Sequence, residues 1–432
     1  MRYKKINNEL FKLNRKRLIK ELKPGSVAVF NANDIMPTNA DGTMRFRQNS
    51  DLFYLTGVDQ EETILVLCPD YPDKKLREVL FVRETNEQIA TWEGHKLTKE
   101  EAREVSGIET ILWTSDFQRI FNTMMVMGGV EHVYLNTNEH YRADVLVESR
   151  DSRFIKWCKE KYPLHQYTRI APLMSKLRAV KSRYELEQMQ EACNITEKAF
   201  RRILKFVKPG VKEYEIEAEF VHEFVRNGSR GFAYEPIIAS GSNSCVLHYI
   251  ENNKVCKSGD VLLLDVGAEY ANYNADMTRT IPVGGKFTKR QKDVYNAVFR
   301  VKRAAYKLLL PGTVYFDYHK EVQKVMESEL LKLKLIDKTD VKNQNPGRPV
   351  VMKYFMHGTG HHLGLDVHDT GNMFDKMKEG MVWTVEPGIY IKEEGLGIRL
   401  ENNVVITKSG VKDLMKYIPI EAEEIEDLMN SK

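Results

Sequence analysis

The sequence lacks the long apolar run that a membrane-spanning helix needs. None of its apolar stretches approaches the ~18 residues required, and runs such as residues 261–266 have the length of buried strands. It also lacks an excess of one charge, because 65 basic and 61 acidic residues leave a net charge of +4. Nucleic-acid-binding domains concentrate positive charge. We therefore expect neither a membrane nor a nucleic acid as a partner.

Cysteine is scarce, and its spacing excludes two common uses. The chain has an odd number of cysteines and no CxxC pair, which disfavours a disulfide framework and a structural zinc site. Scattered thiols are typical of proteins in a reducing compartment, so the sequence predicts a cytoplasmic protein. The five cysteines are Cys68, Cys158, Cys193, Cys245 and Cys256.

No apolar segment follows the basic residues of the N-terminus, so we expect no secretory signal there. Apolar residues recur there at helical spacing, at Ile6, Leu10, Leu13 and Leu18. This spacing predicts an amphipathic helix that packs on the first domain. A mitochondrial presequence is the weaker alternative, because glutamates lie inside the segment.

What the sequence does contain is enough apolar residues to bury a large core. Hydrophobic residues make up 42% of the chain, and its length of 432 residues suggests two or three domains at ~150 residues each. Strand-like runs alternate with helical segments in the first part, which predicts an α/β domain over residues 1–175. A basic stretch containing Pro172 interrupts the pattern, so we place the second domain at residues 176–432. The strand-like runs are residues 26–30, 63–68, 78–82 and 132–136, and one helical segment is 98–105.

The second domain contains a weak internal repeat. Residues 206–220 and 308–322 each read as a helix end, a Pro-Gly stop and a second helix. Capping boxes at Ser182 and Thr288 predict where the two leading helices begin. The repeat suggests two similar halves with a site at their junction, although two Pro-Gly stops can also occur without symmetry.

Two pairs of acidic residues lie at hairpin spacing. Asp265 and Asp276 flank a midpoint at 270–271, so a hairpin would make them adjacent on one face. Glu386 and Glu401 flank a midpoint at 393–394, just before Gly395. Buried carboxylates that share a face repel one another unless a cation or a proton joins them. Four converging carboxylates could hold two divalent ions.

Four histidines lie between these acidic pairs. Glycines at 358, 360 and 364 argue against a helix there, so the spacing is not that of a helical zinc motif. Carboxylates with one imidazole suit Mn²⁺, Co²⁺, Fe²⁺ or Zn²⁺, with Mn²⁺ favoured by the hardness of the ligands. The four are His357, His361, His362 and His368.

The order Asp, Asp, His, Glu, Glu resembles that of the pita-bread metallopeptidases, which include methionine aminopeptidase, aminopeptidase P and prolidase. The likeness spans the second domain. The segment FRQNSDLFYLTG, residues 46–57, resembles the N-terminal domain of aminopeptidase P and prolidase, which methionine aminopeptidases lack. The resemblance implies an α+β pita-bread domain with pseudo-twofold halves that follows the α/β domain.

The resemblance also implies the site residues. Asp276 and Glu401 would bridge two metal ions, and Glu386 would also be catalytic. Three histidines would hold the scissile carbonyl and its tetrahedral intermediate, and His362 would be structural. Tyr390 would contact substrate, although a buried structural role is equally compatible. The implied metal ligands are Asp265, Asp276, His361, Glu386 and Glu401, and the implied catalytic neighbours are His248, His357, His368 and Arg399.

The function implied is that of an Xaa-Pro aminopeptidase. Two metal ions would activate a shared water that attacks the carbonyl before a proline at the second position. The alternative is an Xaa-Pro dipeptidase (prolidase), and a remote one is a non-catalytic peptide-binding relative. Residues 91–97 resemble the aminopeptidase segment in which a tryptophan reaches a neighbouring subunit. We thus expect a homodimer or homotetramer, with Trp92 either a substrate-binding residue or a core or interface residue.

Overall fold

The computed structural model describes residues 2–431, which form two compact units. One unit is Lys5–Arg178, and the other begins at Ala179 and takes in the first residues up to Lys4. The division falls slightly after the boundary predicted near residue 175. The domain limits 1–175 and 176–432 stay a prediction. No helix among residues 2–431 combines the length and the apolar character needed to cross a bilayer.

The first unit is built on one six-stranded mixed sheet in the order β4-β3-β2-β1-β5-β6. The strands β1–β2 and β2–β3 pair antiparallel, and the remaining neighbours pair in parallel. Its strands are β1 (Ser26–Asn31), β2 (Ile64–Leu67), β3 (Glu78–Val82), β4 (Thr110–Trp113), β5 (His132–Leu135) and β6 (Gln166–Arg169). Its helices are α1 (Glu9–Ile19), α2 (Ser50–Thr56), α3 (Glu87–Glu93), α4 (Lys99–Ser106), α5 (Phe117–Met127), α6 (Arg150–Lys161) and α7 (Ala171–Ala179).

The four strand-like runs of the sequence are β1, β2, β3 and β5, and residues 98–105 form α4, as predicted. The structure adds β4 and β6, which the sequence pattern does not reveal. Both are edge strands and only partly buried, so their residues carry a weaker apolar signal.

Helix α1 confirms the amphipathic helix, with one correction to its buried face. Leu10 and Leu18 are fully buried, but Leu13 is 41% exposed. Arg15 is buried instead, because its guanidinium donates to the carbonyl of Leu55 and pairs with Glu78, Nε to Oε2, at 2.9 Å. These partners offset the free-energy cost of removing the guanidinium charge from water.

The second unit carries two three-stranded sheets, in the orders β11-β8-β7 and β12-β15-β16, with the short pairs β9–β10 and β13–β14. Its strands are β7 (Ile237–Ser240), β8 (Val261–Val266), β9 (Glu269–Tyr270), β10 (Tyr273–Asn274), β11 (Met277–Pro282), β12 (Val382–Val385), β13 (Gly388–Ile391), β14 (Leu396–Arg399), β15 (Asn402–Thr407) and β16 (Gly410–Asp413). Its helices are α8 (Arg183–Phe206), α9 (Glu213–Arg226), α10 (Lys289–Leu308), α11 (Tyr315–Lys332), α12 (Lys338–Lys342) and α13 (Ala422–Asn430).

The internal repeat is present in this unit as two helix pairs, each followed by a sheet. Helix α8 leads into α9 and α10 leads into α11, and both leading helices begin with the predicted capping boxes. The turn between the helices contains Gly210 in one half and Gly312 in the other, at φ +96° and +89°. Glycine adopts this backbone region without the strain that a side chain would add. The halves therefore share a helix–turn–helix–sheet plan.

Candidate metal centre

The first acidic pair lies on the hairpin of β8 and β11, in a register that differs from the prediction. Asp265 is opposite Thr278, not opposite Asp276. The reason is the turn, in which Ala271 and Asn272 have φ of 53° and 66°. Two consecutive left-handed residues form a two-residue hairpin turn, whose centre is one position later than expected. Asp276 is consequently the diagonal neighbour of Asp265, and it still lies on the same face.

A tyrosine and an asparagine bring these two aspartates together. The Tyr234 hydroxyl lies 2.6 Å from Asp265 Oδ1 and 2.7 Å from Asp276 Oδ1. The Asn403 side chain donates to the Asp276 carbonyl at 2.6 Å and accepts from its backbone amide at 3.0 Å. The Asp276 backbone is thereby held by a side chain from the other half of the unit.

The second acidic pair has the predicted register. Strand β12 pairs with β15 and β13 pairs with β14 in one continuous register, which places Glu386 opposite Glu401. Gly395, at φ 59°, ends the short turn between β13 and β14. Both glutamates occupy the gap between the two pairs of strands, where the chain passes from one pair to the next.

His361 lies between the two acidic pairs. Its Nε2 is 3.4 Å from Asp276 Oδ2 and 3.7 Å from Glu386 Oε1. Its Nδ1 is 2.9 Å from the carbonyl oxygen of His362. Because a carbonyl only accepts, Nδ1 carries the proton and Nε2 is left to act as a ligand. Thr384 holds the loop in place by exchanging hydrogen bonds with the backbone of His361.

These side chains fit a divalent cation. One ligand atom from each of Asp276, His361 and Glu401 lies within 4.8 Å of the others. Thr278 donates to Glu401 Oε2 at 2.6 Å, but Glu401 Oε1 is buried without a hydrogen-bond partner. A buried carboxylate oxygen without a donor is costly, and a cation would satisfy it.

Most of the acids in this site have raised pKa values, because they are buried together with too little positive charge nearby. Burial raises the pKa of Glu386 to about 7 and raises the pKa of Glu401 well above its ordinary value. Burial also raises the pKa of Asp265, although Arg399 opposes the shift. For Asp276 burial acts upward too, but hydrogen bonds with His361 and Tyr234 hold its pKa below the usual range.

A hydrogen-bonded chain of three residues borders the acids. Arg399 Nη2 lies 2.6 Å from Asp265 Oδ2, and its Nη1 donates to the Tyr390 hydroxyl at 2.8 Å. The Tyr390 oxygen is also 2.8 Å from His357 Nε2. Burial and the Arg399 charge lower the pKa of His357 to about 3, so its imidazole is neutral. Tyr390 is therefore both buried and beside the candidate site.

The remaining predicted histidines lie in three different settings. His368 is exposed, and its ring centre is 4.3 Å from that of His361. His248 is exposed, and its charge is among the influences that lower the pKa of His357. His362 is buried 4.1 Å from the Trp383 ring, and burial lowers its pKa to about 3. A structural role for His362 agrees with this packing.

Trp92 lies in the first unit, on helix α3, and is 83% exposed. The core alternative for this side chain is therefore wrong. A tryptophan with this exposure is available to another molecule.

Sequence reasoning missed several residues that hold the predicted ligands. They act through hydrogen bonds with segments far away in the chain, so no local pattern marks them. Arg279, for example, donates to the Glu401 carbonyl at 2.6 Å from within the core. The missed residues are Tyr234, Thr278, Arg279, Thr384 and Asn403.

We predict that divalent metal binding weakens as the pH falls. Glu386, whose pKa is raised to about 7, and Glu401 must lose their protons before they can act as ligands. The apparent Kd for Mn²⁺ should rise about ten-fold or more per pH unit below about pH 7, as measured by calorimetric titration in two buffers of different ionisation enthalpy. In Glu386→Gln the slope should be smaller. An affinity that does not change with pH would contradict the prediction.

The chain is similar to known proteins in both of its units. Residues 187–408 match the family model "Metallopeptidase family M24", and residues 11–134 match "Aminopeptidase P, N-terminal domain". The chain is 36% identical to an Xaa-Pro aminopeptidase of Escherichia coli (strain K12), over 98% of each protein.

Solved structures show the same likeness over the whole chain. The aminopeptidase PepP of Pseudomonas aeruginosa superimposes with a TM-score of 0.87 and 30% identity over 98% of each chain. An Escherichia coli aminopeptidase P with one glutamate replaced by alanine, in complex with substrate, superimposes with a TM-score of 0.85 and 33% identity over 99% of each chain.

Proposed function

The chain belongs to metallopeptidase family M24 and carries an aminopeptidase P N-terminal domain, and from this premise we propose a function for its candidate centre. The protein is a metal-dependent Xaa-Pro aminopeptidase with a pita-bread catalytic fold. It releases the N-terminal residue from peptides whose second residue is proline. The observation that carries this proposal is the convergence of two carboxylate hairpins on His361, which leaves a buried, unpartnered oxygen on Glu401.

We propose two divalent ions, most simply Mn²⁺, as the cofactors. Asp265, Asp276, His361, Glu386 and Glu401 would hold them. The resemblance to the family supports sharing of Asp276 and Glu401 by both ions, and these two and His361 offer ligand atoms within 4.8 Å of one another. Such ions lower the pKa of a water molecule and polarise the carbonyl to be cleaved. A ligand set with four carboxylates and one imidazole is hard, which favours Mn²⁺.

Glu386 would move the proton. Its carboxylate lies beside His361, 3.7 Å from the imidazole, and would be close to a metal-bound water, which suits a general base that later acts as an acid. It would accept the proton of the attacking water and deliver it to the proline nitrogen as that bond breaks. Thr384, 3.3 Å from Glu386 Oε1, holds the carboxylate in place.

The histidines would stabilise the oxygen of the scissile carbonyl as it becomes negative. His368 lies beside His361 and is exposed, so its ring can reach a bound peptide. His248 is exposed as well and would act with it on the same oxygen. His357 is fixed by Tyr390, which Arg399 also contacts, so these three would hold the substrate as one rigid unit.

The acids would also select the free N-terminus of the peptide. Asp265 carries negative charge close to the proposed metals, and a substrate α-amino group can pair with it. Proline forms a tertiary amide whose ring restricts the backbone, so ordinary peptidases cleave this bond poorly. A dedicated site for such substrates is chemically reasonable.

Peptide length separates this function from that of a prolidase. We expect tripeptides and longer Xaa-Pro peptides to be cleaved at least as well as the dipeptide. Trp92→Ala should weaken the cleavage of longer peptides several-fold without changing metal content, because an exposed aromatic would contact them across a subunit boundary. The kcat/KM for peptides of two to five residues measures this, with Leu164→Ala as the control at another exposed apolar side chain.

Two results would contradict this prediction. A protein that hydrolyses only dipeptides would be an Xaa-Pro dipeptidase. Unchanged handling of long peptides by Trp92→Ala would remove this residue from the substrate site.

We also propose a cytoplasmic homodimer or homotetramer. Its five cysteines are all unpaired, which is typical of a reducing compartment. The resemblance of residues 91–97 to a segment that reaches a neighbouring subunit supports an assembly in which the exposed Trp92 contacts the substrate of another subunit. Light scattering of the wild type tests the assembly.

A further inference from the structure

The segment that carries His248 is irregular. It follows strand β7 and a short 3₁₀ helix, Gly241–Cys245, and residues 246–254 lie in neither a helix nor a strand. A regular ladder of backbone hydrogen bonds therefore does not set the direction in which His248 points. Contacts of neighbouring side chains must hold the segment in place.

One buried carboxylate, that of Glu213, joins residues on both sides of His248. Glu213 is the first residue of helix α9 and is fully buried. Its Oε1 accepts hydrogen bonds from the Ser240 backbone amide at 2.8 Å and from the Ser240 hydroxyl at 2.7 Å. Its Oε2 accepts from the Tyr249 hydroxyl at 2.8 Å and from the Lys254 backbone amide at 2.9 Å. The end of β7 and the far end of the histidine segment thus meet at one side chain.

The Tyr249 hydroxyl is a donor in this arrangement. Burial and the hydrogen bond with Glu213 raise the pKa of Tyr249 to about 12, so its hydroxyl keeps its proton at neutral pH. A buried carboxylate is costly unless donors satisfy its oxygens, and here four donors do so. Two of them are backbone amides, so the hydroxyls of Tyr249 and Ser240 are the two that a side-chain substitution can remove.

A second anchor lies four residues after His248. Asn252 is buried, and its backbone has a φ of 44°. Its side-chain oxygen accepts from the Ile238 backbone amide at 3.0 Å, and its nitrogen donates to the Pro236 carbonyl at 3.0 Å. Because β7 is an edge strand of its sheet, these bonds satisfy polar groups on its open side. The chain after His248 is consequently fixed against β7.

The Tyr249 ring links these anchors to the candidate centre. It belongs to the same buried apolar cluster as Tyr390, whose hydroxyl lies 2.8 Å from His357 Nε2. His248 is close enough to contribute, after burial and Arg399, to the lowered pKa of His357. A displacement of Tyr249 would therefore move the adjacent histidine relative to the centre.

We propose that Glu213 and Tyr249 are positioning residues for His248. The hydrogen bond between them holds the irregular segment so that the His248 imidazole faces the scissile carbonyl, and neither residue touches the substrate itself. The hydrogen bond is thus a requirement for turnover, although it lies outside the metal ligands and the histidines. This inference rests on the proposed aminopeptidase function.

The test is a double-mutant cycle with the Mn²⁺-loaded enzyme and the tripeptide Ala-Pro-Ala. Tyr249→Phe removes one hydroxyl and keeps the ring in its apolar cluster. It should lower kcat about ten-fold with unchanged metal content, because a misplaced catalytic group loses much of its effect. His248→Ala should lower kcat about 10²-fold. The double variant should match His248→Ala to within about two-fold, because it has no histidine left to position.

Glu213→Gln gives an independent arm of the same cycle. Its amide nitrogen cannot accept from the Lys254 backbone amide, so the anchor is weakened from the other side. It too should lower kcat when His248 is present and have no further effect in His248→Ala. A loss of stability alone would lower activity by the same factor in both backgrounds.

Tyr162→Phe is the matched control, because it removes a buried tyrosine hydroxyl in the first unit that donates to Asn122 at 3.1 Å. Its kcat should equal that of the wild type. An unchanged kcat in Tyr249→Phe, or an equal loss with and without His248, would overturn the positioning role and leave the aminopeptidase function intact. Failure of the wild type to cleave Ala-Pro-Ala would overturn the function, and this inference with it.

Discussion

Asp276→Asn and Glu401→Gln are each expected to lose most of the bound metal and to lower kcat/KM for an Xaa-Pro tripeptide by about 10³-fold or more. Both substitutions keep the shape of the side chain and remove one negative charge from the centre of the ligand set. In the structure these two residues and His361 offer ligand atoms within 4.8 Å of one another, so each loss weakens the whole site. Metal content by elemental analysis and kcat/KM on the same preparation measure the effect.

The fold of Glu401→Gln should survive, because the native acids repel one another without a cation. Burial and the neighbouring acids raise the pKa of Glu401, and a neutral amide there relieves the strain. Metal-free Glu401→Gln should therefore unfold at a temperature equal to or above that of the metal-free wild type. Metal-free Asp276→Asn should unfold at a lower temperature, because His361 and Tyr234 stabilise the ionised carboxylate that it removes.

His368→Ala is the matched comparison. It should keep its metals and lose turnover by about 10²-fold, as expected when a group that stabilises the developing oxyanion is removed. Equal metal loss in all three variants would show that His368 is a ligand, and would contradict its assignment to the carbonyl oxygen.

Removal of the metal is expected to abolish activity and to destabilise the protein. After treatment with EDTA and its removal, turnover should fall below about 1% and return on addition of Mn²⁺ or Co²⁺. A ligand that binds only the native state at about 100 times its Kd adds about 2.7 kcal/mol to the free energy of unfolding. Thermal unfolding with and without Mn²⁺ measures this gain, and Asp276→Asn should show little of it.

A single result would remove the metal mechanism. If protein shown by elemental analysis to be metal-free turned over substrate at the full rate, the acidic centre would need another explanation. The Xaa-Pro specificity would be untouched by that outcome.

Local patterns in the sequence determined much of the catalytic unit. The pairing of Glu386 with Glu401 follows from alternation in two strands and from a glycine at the turn, and both are short-range properties. The capping boxes at Ser182 and Thr288 mark helix starts for the same reason, since each links residues three apart. The order of acids and histidines was enough to identify the family.

Tertiary structure decided the rest. The register of Asp265 against Thr278 depends on Ala271 and Asn272 at positive φ, which non-glycine residues adopt only when the surrounding contacts hold them there. The hydroxyl of Tyr234 reaches Asp265 and Asp276 only in the folded chain, because these residues lie 31 and 42 positions away in the sequence.

The same holds for contacts that link distant segments. Asn403 holds Asp276 across 127 positions of sequence, and Thr278 donates to Glu401 across 123. Periodicity and turn chemistry act between near neighbours in the chain. Which distant surfaces meet depends on the packing of the whole unit, so the ligand types could be predicted from the sequence and the groups that hold them in place could not.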